Sequence, residues 1–442
     1  MTRLPTRSTL RSRARGRAST LSVSGLLFTA CVFMGCMFTA CVDDGAAHPD
    51  LLGPDAAAEA ATVSVPAVVP PALPADCPPI FDPLPRTLSC TGLYGAAGTA
   101  SVEKAVHSAN RAFAPGSALW TDGADKLRWI ALPEGRQVDT TNPNGWVFPD
   151  GTRVWKEFAF KGKRAETRFM YKSDGIWRFE TYRWNESDTD AVAVEEGADV
   201  PLPGGGIHSI PTLLQCNECH RGSRDKLLGF QQVLLGLPGA SGLNLSALVT
   251  ENRLSNPPAR TSFSIPDDGT GMAAQALPWI HVNCGVSCHN ETGDAKANMS
   301  HMFLRIDPST LDAPTPAAWN IVKMTVGAPS VTANFFGGVR IVPGSPDQSL
   351  IVQLAQTRGS NSAMPPLGTR IVDPSGIATL REWITRLGGH GSAPDSGVGL
   401  DGGVAVFDMD AAAGGDVAAP DAGELSADAS AVDMTSLDAE AD

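Results

Sequence analysis

The chain has 442 residues and a formal net charge of −13 at pH 7, a length that allows two or three domains with a buried core. The charge is unevenly spread, because residues 1–20 hold six Arg and no acidic residue, whereas residues 391–442 hold twelve Asp or Glu and no basic residue. The rest of the chain is only mildly acidic, which excludes the basic face of a nucleic-acid-binding protein.

The N-terminus is typical of an export segment. An Arg-rich stretch ending near Arg17 is followed by an apolar run from about Leu21 to Ala40. Small residues precede Cys41 and polar residues follow it, which resembles a bacterial lipoprotein processing site. We therefore expect a lipid anchor on Cys41 and a periplasmic, outer-membrane or cell-surface location. An uncleaved transmembrane anchor and ordinary secretion are the alternatives.

The cysteines that follow Cys41 form three local pairs. Outside the cytosol, a close pair without a neighbouring His is most simply a disulfide, which predicts a bond between Cys77 and Cys90. The other two pairs each end in a His, so we expect them to have a different role.

Composition divides the chain into segments. Ala, Pro and Val dominate the stretch that follows Cys41, as in an extended tether, and the acidic C-terminus has the composition of a disordered tail. The predicted segments are a lipoprotein-type signal peptide at 1–40, an Ala/Pro-rich linker at 41–75, a β-rich domain at 76–205, a segment at 206–272 with the first Cys/His motif, a domain at 273–390 with the second, and the acidic tail at 391–442.

The β-rich domain shows alternating strand-length runs. Asp174-Gly175 is a strong signal for a hairpin, because both central residues of a type I′ turn need positive φ. The runs predict an antiparallel, sandwich-like domain with most of its Trp residues in the core. They are Lys126 to Leu132, Thr152 to Phe160, Ala165 to Tyr171 and Ile176 to Tyr182.

After about residue 206 the apolar period becomes helical, with long Gly/Pro-rich loops between short helices. Ser375 is the expected cap of the last helix, and Gly388-Gly389 ends it. The fold class predicted is therefore a multidomain α+β protein whose second part is mostly α. The expected helices cover Leu227 to Leu235, Ser246 to Leu254, Ala273 to Val282, Gln348 to Thr357 and Ile377 to Leu387.

The most informative motif is Cys216-Asn217-Glu218-Cys219-His220. Two Cys one helical turn apart and an immediately following His can present two sulfurs to a porphyrin edge and a ring nitrogen to its iron. The motif predicts covalent haem c, with Cys216 and Cys219 as attachment residues and His220 as an iron ligand. A zinc half-site or a Cys216–Cys219 disulfide is the alternative.

A second motif, Cys284-Gly285-Val286-Ser287-Cys288-His289, has three residues between its sulfurs. We expect a bulge in the attachment turn to absorb the extra residue, so that Cys284 and Cys288 hold a second haem and His289 binds its iron. Met364, followed by two prolines, is the candidate second ligand. The alternatives are a Cys284–Cys288 disulfide with a solvated His289, and a Met364 that only fills the core.

The first haem has no obvious second ligand. The chemically able residues are His208, Met272, His281, His107 and Met170. His208 lies in a Gly-rich stretch, where a solvent-exposed loop His is the expectation.

Taken together, these motifs resemble a family of exported bacterial dihaem c-type cytochromes with an N-terminal β-rich domain, over roughly residues 90–390. The resemblance implies haem binding and electron transfer. The order of helix, Cys and His, Met loop and final helix in residues 273–390 is similar to class I cytochrome c, in which a Met is the second iron ligand. This resemblance implies a cytochrome c-like domain at 273–390 and a first haem c segment at 206–272. The chain departs at the second motif, which has two intervening residues in the family. The residues that carry the resemblance are Leu119 to Ala124, Arg128 to Ile130, Trp146 to Thr152, Trp155 to Phe158, Glu166 to Arg168, Trp184 to Glu186, Pro343 to Pro346, Met364 to Pro366 and the two Cys/His motifs.

Three functions follow as hypotheses. The first is an electron carrier, with redox proteins as partners and no catalytic residues. The second is a peroxidase-like oxidoreductase that uses an open site at the first haem. The third is a non-enzymatic surface-binding lipoprotein whose Cys/His motifs are structural.

Overall fold

The computed structural model describes residue 73 and residues 77–78, 83–94 and 106–389. The predicted signal peptide at 1–40, lipidation at Cys41, the tail at 391–442 and all of the 41–75 linker except residue 73 lie outside these residues. Within the described part of the chain, no helix is both long and apolar enough to cross a bilayer.

The strands come mainly before residue 211. Their bounds are β1 Arg111–Ala114, β2 Asp125–Ala131, β3 Arg153–Phe160, β4 Lys163–Ser173, β5 Ile176–Trp184, β6 Ala191–Ala193, β7 Ala198–Pro201, β8 Ile207–Ile210 and β9 Ser241–Gly242. Seven of them form one antiparallel sheet in the order β6-β5-β4-β3-β2-β1-β9, and β7 pairs with β8. The antiparallel sheet predicted from the sequence is confirmed.

The hairpin between β4 and β5 forms where the sequence predicts it. Asp174 and Gly175 have φ values of 53° and 72°, as a type I′ turn requires. The turn places Ser173 opposite Ile176 and thereby sets the register of the pair, so Arg168 lies opposite Thr181. All four predicted runs are strands, with ends shifted by at most two residues.

The two faces of the sheet have different coverings. On the outer face, Trp155 and Tyr182 are fully buried and pack with Leu88 and Leu93. Leu88 lies in the 3₁₀ turn Leu88–Thr91, and Leu93 follows that turn. On the inner face, side chains such as Ile130 share one core cluster with the helical part. A single sheet is thus covered by an irregular segment on one side and by helices on the other, so these residues form an α+β architecture and not the sandwich-like arrangement predicted for 76–205.

The helices follow the sheet. Their bounds are α1 Leu213–His220, α2 Gln232–Gly236, α3 Leu245–Thr250, α4 Ala273–Ile280, α5 Asn320–Lys323, α6 Leu350–Gln356 and α7 Pro374–Leu387. The last helix is capped by Asp373, whose Oδ1 accepts a hydrogen bond from the backbone N–H of Gly376, and not by Ser375 as expected. Pro374 then occupies the first helical position, where its missing N–H costs nothing.

A disulfide joins Cys77 to the 3₁₀ turn that covers the outer face of the sheet. Cys77 and Cys90 form a disulfide with their Cα atoms 5.3 Å apart. Cys90 is buried in the 3₁₀ turn on the outer face, where Thr91 accepts a hydrogen bond from the indole of Trp155 at 2.9 Å. The described residues belong to one compact unit, and the segment bounds inferred from composition stay predictions.

Candidate functional site

A cavity of about 780 Å³ lies between the inner face of the sheet and the helical part. Its volume is in the upper part of the roughly 300–1,000 Å³ range of ligand and cofactor pockets. The seven residues predicted from the two motifs and the Met loop all line it: Cys216, Cys219, His220, Cys284, Cys288, His289 and Met364. The fold therefore brings both motifs, 64 or more residues apart in the chain, to one space.

The first motif is positioned by the start of α1. The Thr212 hydroxyl accepts from the Gln215 N–H at 3.2 Å, and the Gln215 side chain accepts from the Thr212 N–H at 3.0 Å, which is a capping box. The helix therefore begins at Leu213. Residues three and four apart share a helix face, so Cys216, Cys219 and His220 all point toward the cavity.

His220 is oriented by a backbone carbonyl. Its Nδ1 donates to the Lys226 carbonyl at 2.6 Å, and its ring packs edge-on against Phe179. Nε2 is then the nitrogen that carries a free lone pair, as in metal-binding histidines oriented by a second partner. Burial lowers the pKa of His220 to about 4, so the ring stays neutral and able to bind a metal.

The loop that supplies this carbonyl is held by a buried ion pair that the sequence does not reveal. Lys172 on β4 lies 2.7 Å from the Asp225 carboxylate, and the same carboxylate accepts from the Phe148 N–H at 2.6 Å. Lys226 follows with a φ of 62°, which turns the chain back toward the helix. Neither Asp225 nor Lys226 belongs to a recognisable sequence motif, because the role of Asp225 depends on partners that are distant in sequence.

The second motif sits on a widened helical turn. After α4, residues His281–Gly285 form a π-turn, in which Val286 N–H donates to the His281 carbonyl at 2.8 Å. The His289 N–H likewise donates to the Cys284 carbonyl, five residues back, at 2.9 Å. A π-bulge accommodates one residue more than an α-turn. The three-residue spacing between Cys284 and Cys288 therefore still places both sulfurs on the cavity wall.

His289 has an oriented ring as well. Its Nδ1 lies 3.2 Å from the Ser300 hydroxyl, which donates its own hydrogen to the Ala297 carbonyl. The hydroxyl oxygen therefore accepts from Nδ1, and the ring also makes a hydrogen bond to the Met302 backbone. Burial, with a contribution from Arg340, lowers the pKa of His289 to about 4.

Met364 is held by its backbone. Its N–H donates to the Leu354 carbonyl at 3.0 Å and its carbonyl accepts from Arg358 at 3.2 Å. The side chain is half-buried and lines the cavity. It is therefore available to a group bound there.

The two motif segments touch one another. A Cβ on Gly222 would lie 1.7 Å from the Ser287 carbonyl oxygen, so the backbones approach as closely as only glycine allows. Arg305 donates to both the Gly222 and Val286 carbonyls, at 2.6 and 2.9 Å. A hydrogen bond from Cys219 lowers the pKa of the Cys288 thiol to about 7, so these two thiols are in contact.

Of the candidates for a second ligand at the first motif, some line the cavity in the structure and others do not. Met170 and His208 line the cavity, as do Met299 and Met302, which the sequence did not single out. The expectation that His208 is a solvent-exposed loop residue is wrong. It lies on β8, is 2% exposed, and its Nε2 contacts the Glu166 carboxylate at 3.0 Å.

His281 is fully buried with its Nδ1 accepting the Ile306 N–H, so that nitrogen is engaged, and the ring does not line the cavity. His107 and Met272 do not line it either.

The donor set fits a covalently attached haem. Each motif brings two thiols and an imidazole to one wall, and the remaining walls carry apolar residues such as Phe179, Val154 and Leu354. In the described ranges, no three His, Cys, Asp or Glu side chains are grouped so as to hold a lone metal ion. Comparisons with protein-family models, with curated proteins and with solved structures found no match for the chain.

Proposed function

We propose that the chain is an exported, lipid-anchored dihaem c-type cytochrome that transfers electrons. The observation that carries the proposal is the convergence of two Cys/Cys/His segments on one largely apolar cavity, each with a histidine whose Nδ1 is engaged. A pair of structural disulfides would need neither the oriented imidazoles nor the enclosed space. The motif resemblance to exported dihaem cytochromes supports the same function.

Each haem, when bound, supplies an iron that exchanges one electron between its ferric and ferrous states. The chain provides the attachment and the environment. Cys216 and Cys219 would hold the first haem and Cys284 and Cys288 the second, through thioethers to the former vinyl groups. His220 and His289 would bind the irons through Nε2, and the Lys226 carbonyl and Ser300 hydroxyl keep each ring in the required tautomer.

Met364 would complete the coordination of the second iron. A thioether ligand raises the reduction potential relative to two imidazoles, and a filled sixth position favours electron transfer over catalysis at that iron. The Leu354 and Arg358 hydrogen bonds fix the backbone of the Met loop. The contact between the two motif segments would keep both haems close enough for exchange within the chain.

The haem content tests this function. We expect the pyridine haemochrome of the full chain, matured with a c-haem attachment system, to give two haems per polypeptide. The double variant C216S/C219S should give one, whereas C77S/C90S, which removes the disulfide cysteines, should leave two. A colourless protein would overturn the proposal, and a value of one would remove the second site.

A spectroscopic test separates the electron carrier from the peroxidase-like alternative. An electron carrier should be low-spin at both haems and should not bind CO when reduced. A high-spin first haem that binds CO or cyanide would instead support an oxidoreductase.

The anchor is tested separately, because Cys41 lies outside the described residues. We expect C41A to abolish metabolic labelling with a palmitate analogue and to release the protein from membranes. C36A, an equally apolar position five residues earlier, should keep the label. Equal labelling of both variants would contradict lipidation at Cys41.

A further inference from the structure

A row of cations crosses the inner face of the sheet. Arg128 on β2 lies opposite Lys156 on β3, Lys156 lies opposite Arg168 on β4, and Arg168 lies opposite Thr181 on β5. Directly opposed residues in antiparallel strands point to the same face. All four line the cavity.

One end of the row lies at the first motif and the other end lies away from it. Thr181 is hydrogen-bonded to the Cys216 thiol, so this end of the row lies at the attachment cysteines. Neighbouring strands are roughly 4.8 Å apart, which puts Lys156 about 10 Å and Arg128 about 14 Å along the row from Thr181. A haem carries its propionates on the edge opposite its thioethers. The far end of the row is therefore where the propionate edge of a haem attached at Cys216 and Cys219 would lie.

Within the row, one cation has a protein partner and two do not. Arg168 donates to both carboxylate oxygens of Glu166, at 2.7 and 3.3 Å. Among the described residues, Lys156 and Arg128 have no carboxylate within ion-pair distance, and Lys156 contacts only the Phe158 ring, at 4.7 Å from its centroid. Two positive charges thus face the cavity without an anion.

The carboxylates that line the cavity do not compensate these charges. Asp122 accepts from Thr369 and from the backbone of Arg370 and Ile371. Asp373 caps α7 and accepts from the Trp279 indole at 2.8 Å. Glu180, one residue before Thr181 on β5, belongs to the alternate face and accepts from the Thr181 N–H.

Lys156 and Arg128 are partly buried, and removing even part of the water around an unpaired cation costs free energy, which lowers the pKa of both groups. Burial, followed by the neighbouring Arg128 and Arg168, lowers the pKa of Lys156 well below its usual value. Burial alone lowers the pKa of Arg128 to about 10. A chain that keeps two such residues in a cofactor cavity has a use for an anion there.

We propose that Lys156 and Arg128 bind the two propionate carboxylates of the haem attached at Cys216 and Cys219, an inference that rests on the proposed function. Within the row, the number of cations without a carboxylate matches the number of propionates, and each pairing is a charge-assisted hydrogen bond. Arg340 and Arg358 also line the cavity without a carboxylate partner among the described residues, but they donate to backbone carbonyls. Arg168 is already paired with Glu166 and is therefore not counted. Lys156 and Arg128 are thereby positioning residues for the first haem and leave the second unaffected.

The test uses haem labelled with ¹³C only at its propionate carboxyl carbons, introduced biosynthetically into the full chain. Redox difference infrared spectra identify the carboxylate bands that move with the label. We expect K156Q and R128Q each to shift the bands of one propionate and to lower the reduction potential of one haem. K156R should restore the wild-type bands, because it keeps the charge. K163Q is the matched control, since Lys163 is an exposed cation on the adjacent strand β4.

Haem stoichiometry is measured on every variant, because covalent attachment should keep it at the wild-type value. Labelled bands that are identical in wild type, K156Q and R128Q would overturn the inference, while a stoichiometry of zero in the wild type would overturn the proposed function itself. A reduction potential that responds to added free carboxylates, with unchanged labelled bands, would assign the row to an exchangeable anion and likewise overturn it.

Discussion

The two Cys/Cys/His segments offer the same side chains to one cavity and reach it by different backbones. The first lies in an ordinary α-helix that starts at a capping box, so a two-residue spacing aligns its sulfurs. The second begins at the end of the π-turn His281–Gly285, and a five-residue hydrogen bond from the His289 N–H to the Cys284 carbonyl spans the extra intervening residue. Local backbone geometry can thus compensate for a change in spacing, so that both sulfurs still line the cavity.

The supports of the two segments also differ. The first depends on the sheet, through the Lys172–Asp225 ion pair that fixes the loop after α1. The second depends on the helical part, through His281, whose carbonyl and ring both accept backbone hydrogen bonds. The segments meet at Gly222 and Ser287. Variants at these positions can therefore disturb the segments together or one at a time.

The largest effect is expected from G222A, which acts on both segments. The added methyl would collide with the Ser287 backbone, so the destabilisation should exceed the roughly 1–3 kcal/mol that overpacking usually costs. Chemical denaturation measures the loss, and haem content should fall at both sites.

The matched control for this variant is G293A. Gly293 has no atom within 4 Å of an added Cβ, so its substitution should leave stability and haem content unchanged. Equal behaviour of the two variants would show that the segments do not depend on their contact.

The next effect is expected from D225A, which disturbs the first segment alone. It leaves Lys172, 5% exposed, as an unpaired buried cation, and breaking such a pair costs about 3–5 kcal/mol. Denaturation should show this loss together with a mobile His220. D347A, which breaks an exposed pair with Arg381, should cost no more than about 1 kcal/mol.

A smaller, pH-dependent effect should report on the second segment. Burial lowers the pKa of His281 to about 3, from an ordinary value of 6.5. Between these values the unfolded chain binds a proton that the folded chain does not. Stability should therefore fall as the pH decreases from 6.5 toward 3, and His281 contributes about 1.4 kcal/mol per pH unit to this fall.

The H281Q variant should make this slope shallower by about 1.4 kcal/mol per pH unit, measured as the unfolding free energy at a series of pH values, and His220 and His289 supply the slope that remains. H301N, at an exposed His, should retain the wild-type slope. An H281Q slope equal to that of the wild type would show that His281 does not contribute to the acid sensitivity.

The smallest effect on stability, and the most specific one, is expected from M364A. The half-buried side chain contributes little packing, but its loss should open the sixth position of the second iron and lower its potential by a fraction of the roughly 0.8 V that axial ligands span. CO binding to one haem measures the opened coordination position, and a redox titration measures the lowered potential. M272A, which removes a partly buried Met that does not line the cavity, should bind no CO.

Patterns local in sequence allowed much of the fold to be predicted. Alternation located the strands, and Asp174-Gly175 located the hairpin, because both depend on residues within a few positions of each other. The N-cap of α7 was misplaced by two residues, since Ser375 and Asp373 are both capable caps and Pro374 decides between them. Long-range contacts, such as the core shared by sheet and helices, have no local signature.

The candidate site likewise has a part that local sequence patterns predict and a part that depends on long-range contacts. The cysteines and histidines stand in recognisable spacings, whereas the groups that orient them come from distant segments. The prediction for His208 was wrong because a Gly-rich neighbourhood suggests a loop, while its pairing with Glu166 and its contact with the Phe160 ring are tertiary. The row of Arg128, Lys156 and Arg168 has no local signal in the sequence, because it depends on the strand register.

The Cys77–Cys90 disulfide has a mechanical consequence. Because the bond joins Cys77 directly to the buried turn on the outer face of the sheet, tension applied to the chain before Cys77 passes to Cys90 and bypasses residues 78–89. The load then reaches the hydrogen bond between Thr91 and Trp155 and the seven-stranded sheet behind it. Pulling from the N-terminus should therefore extend the chain by fewer residues in the oxidised protein than in the reduced one before the sheet resists.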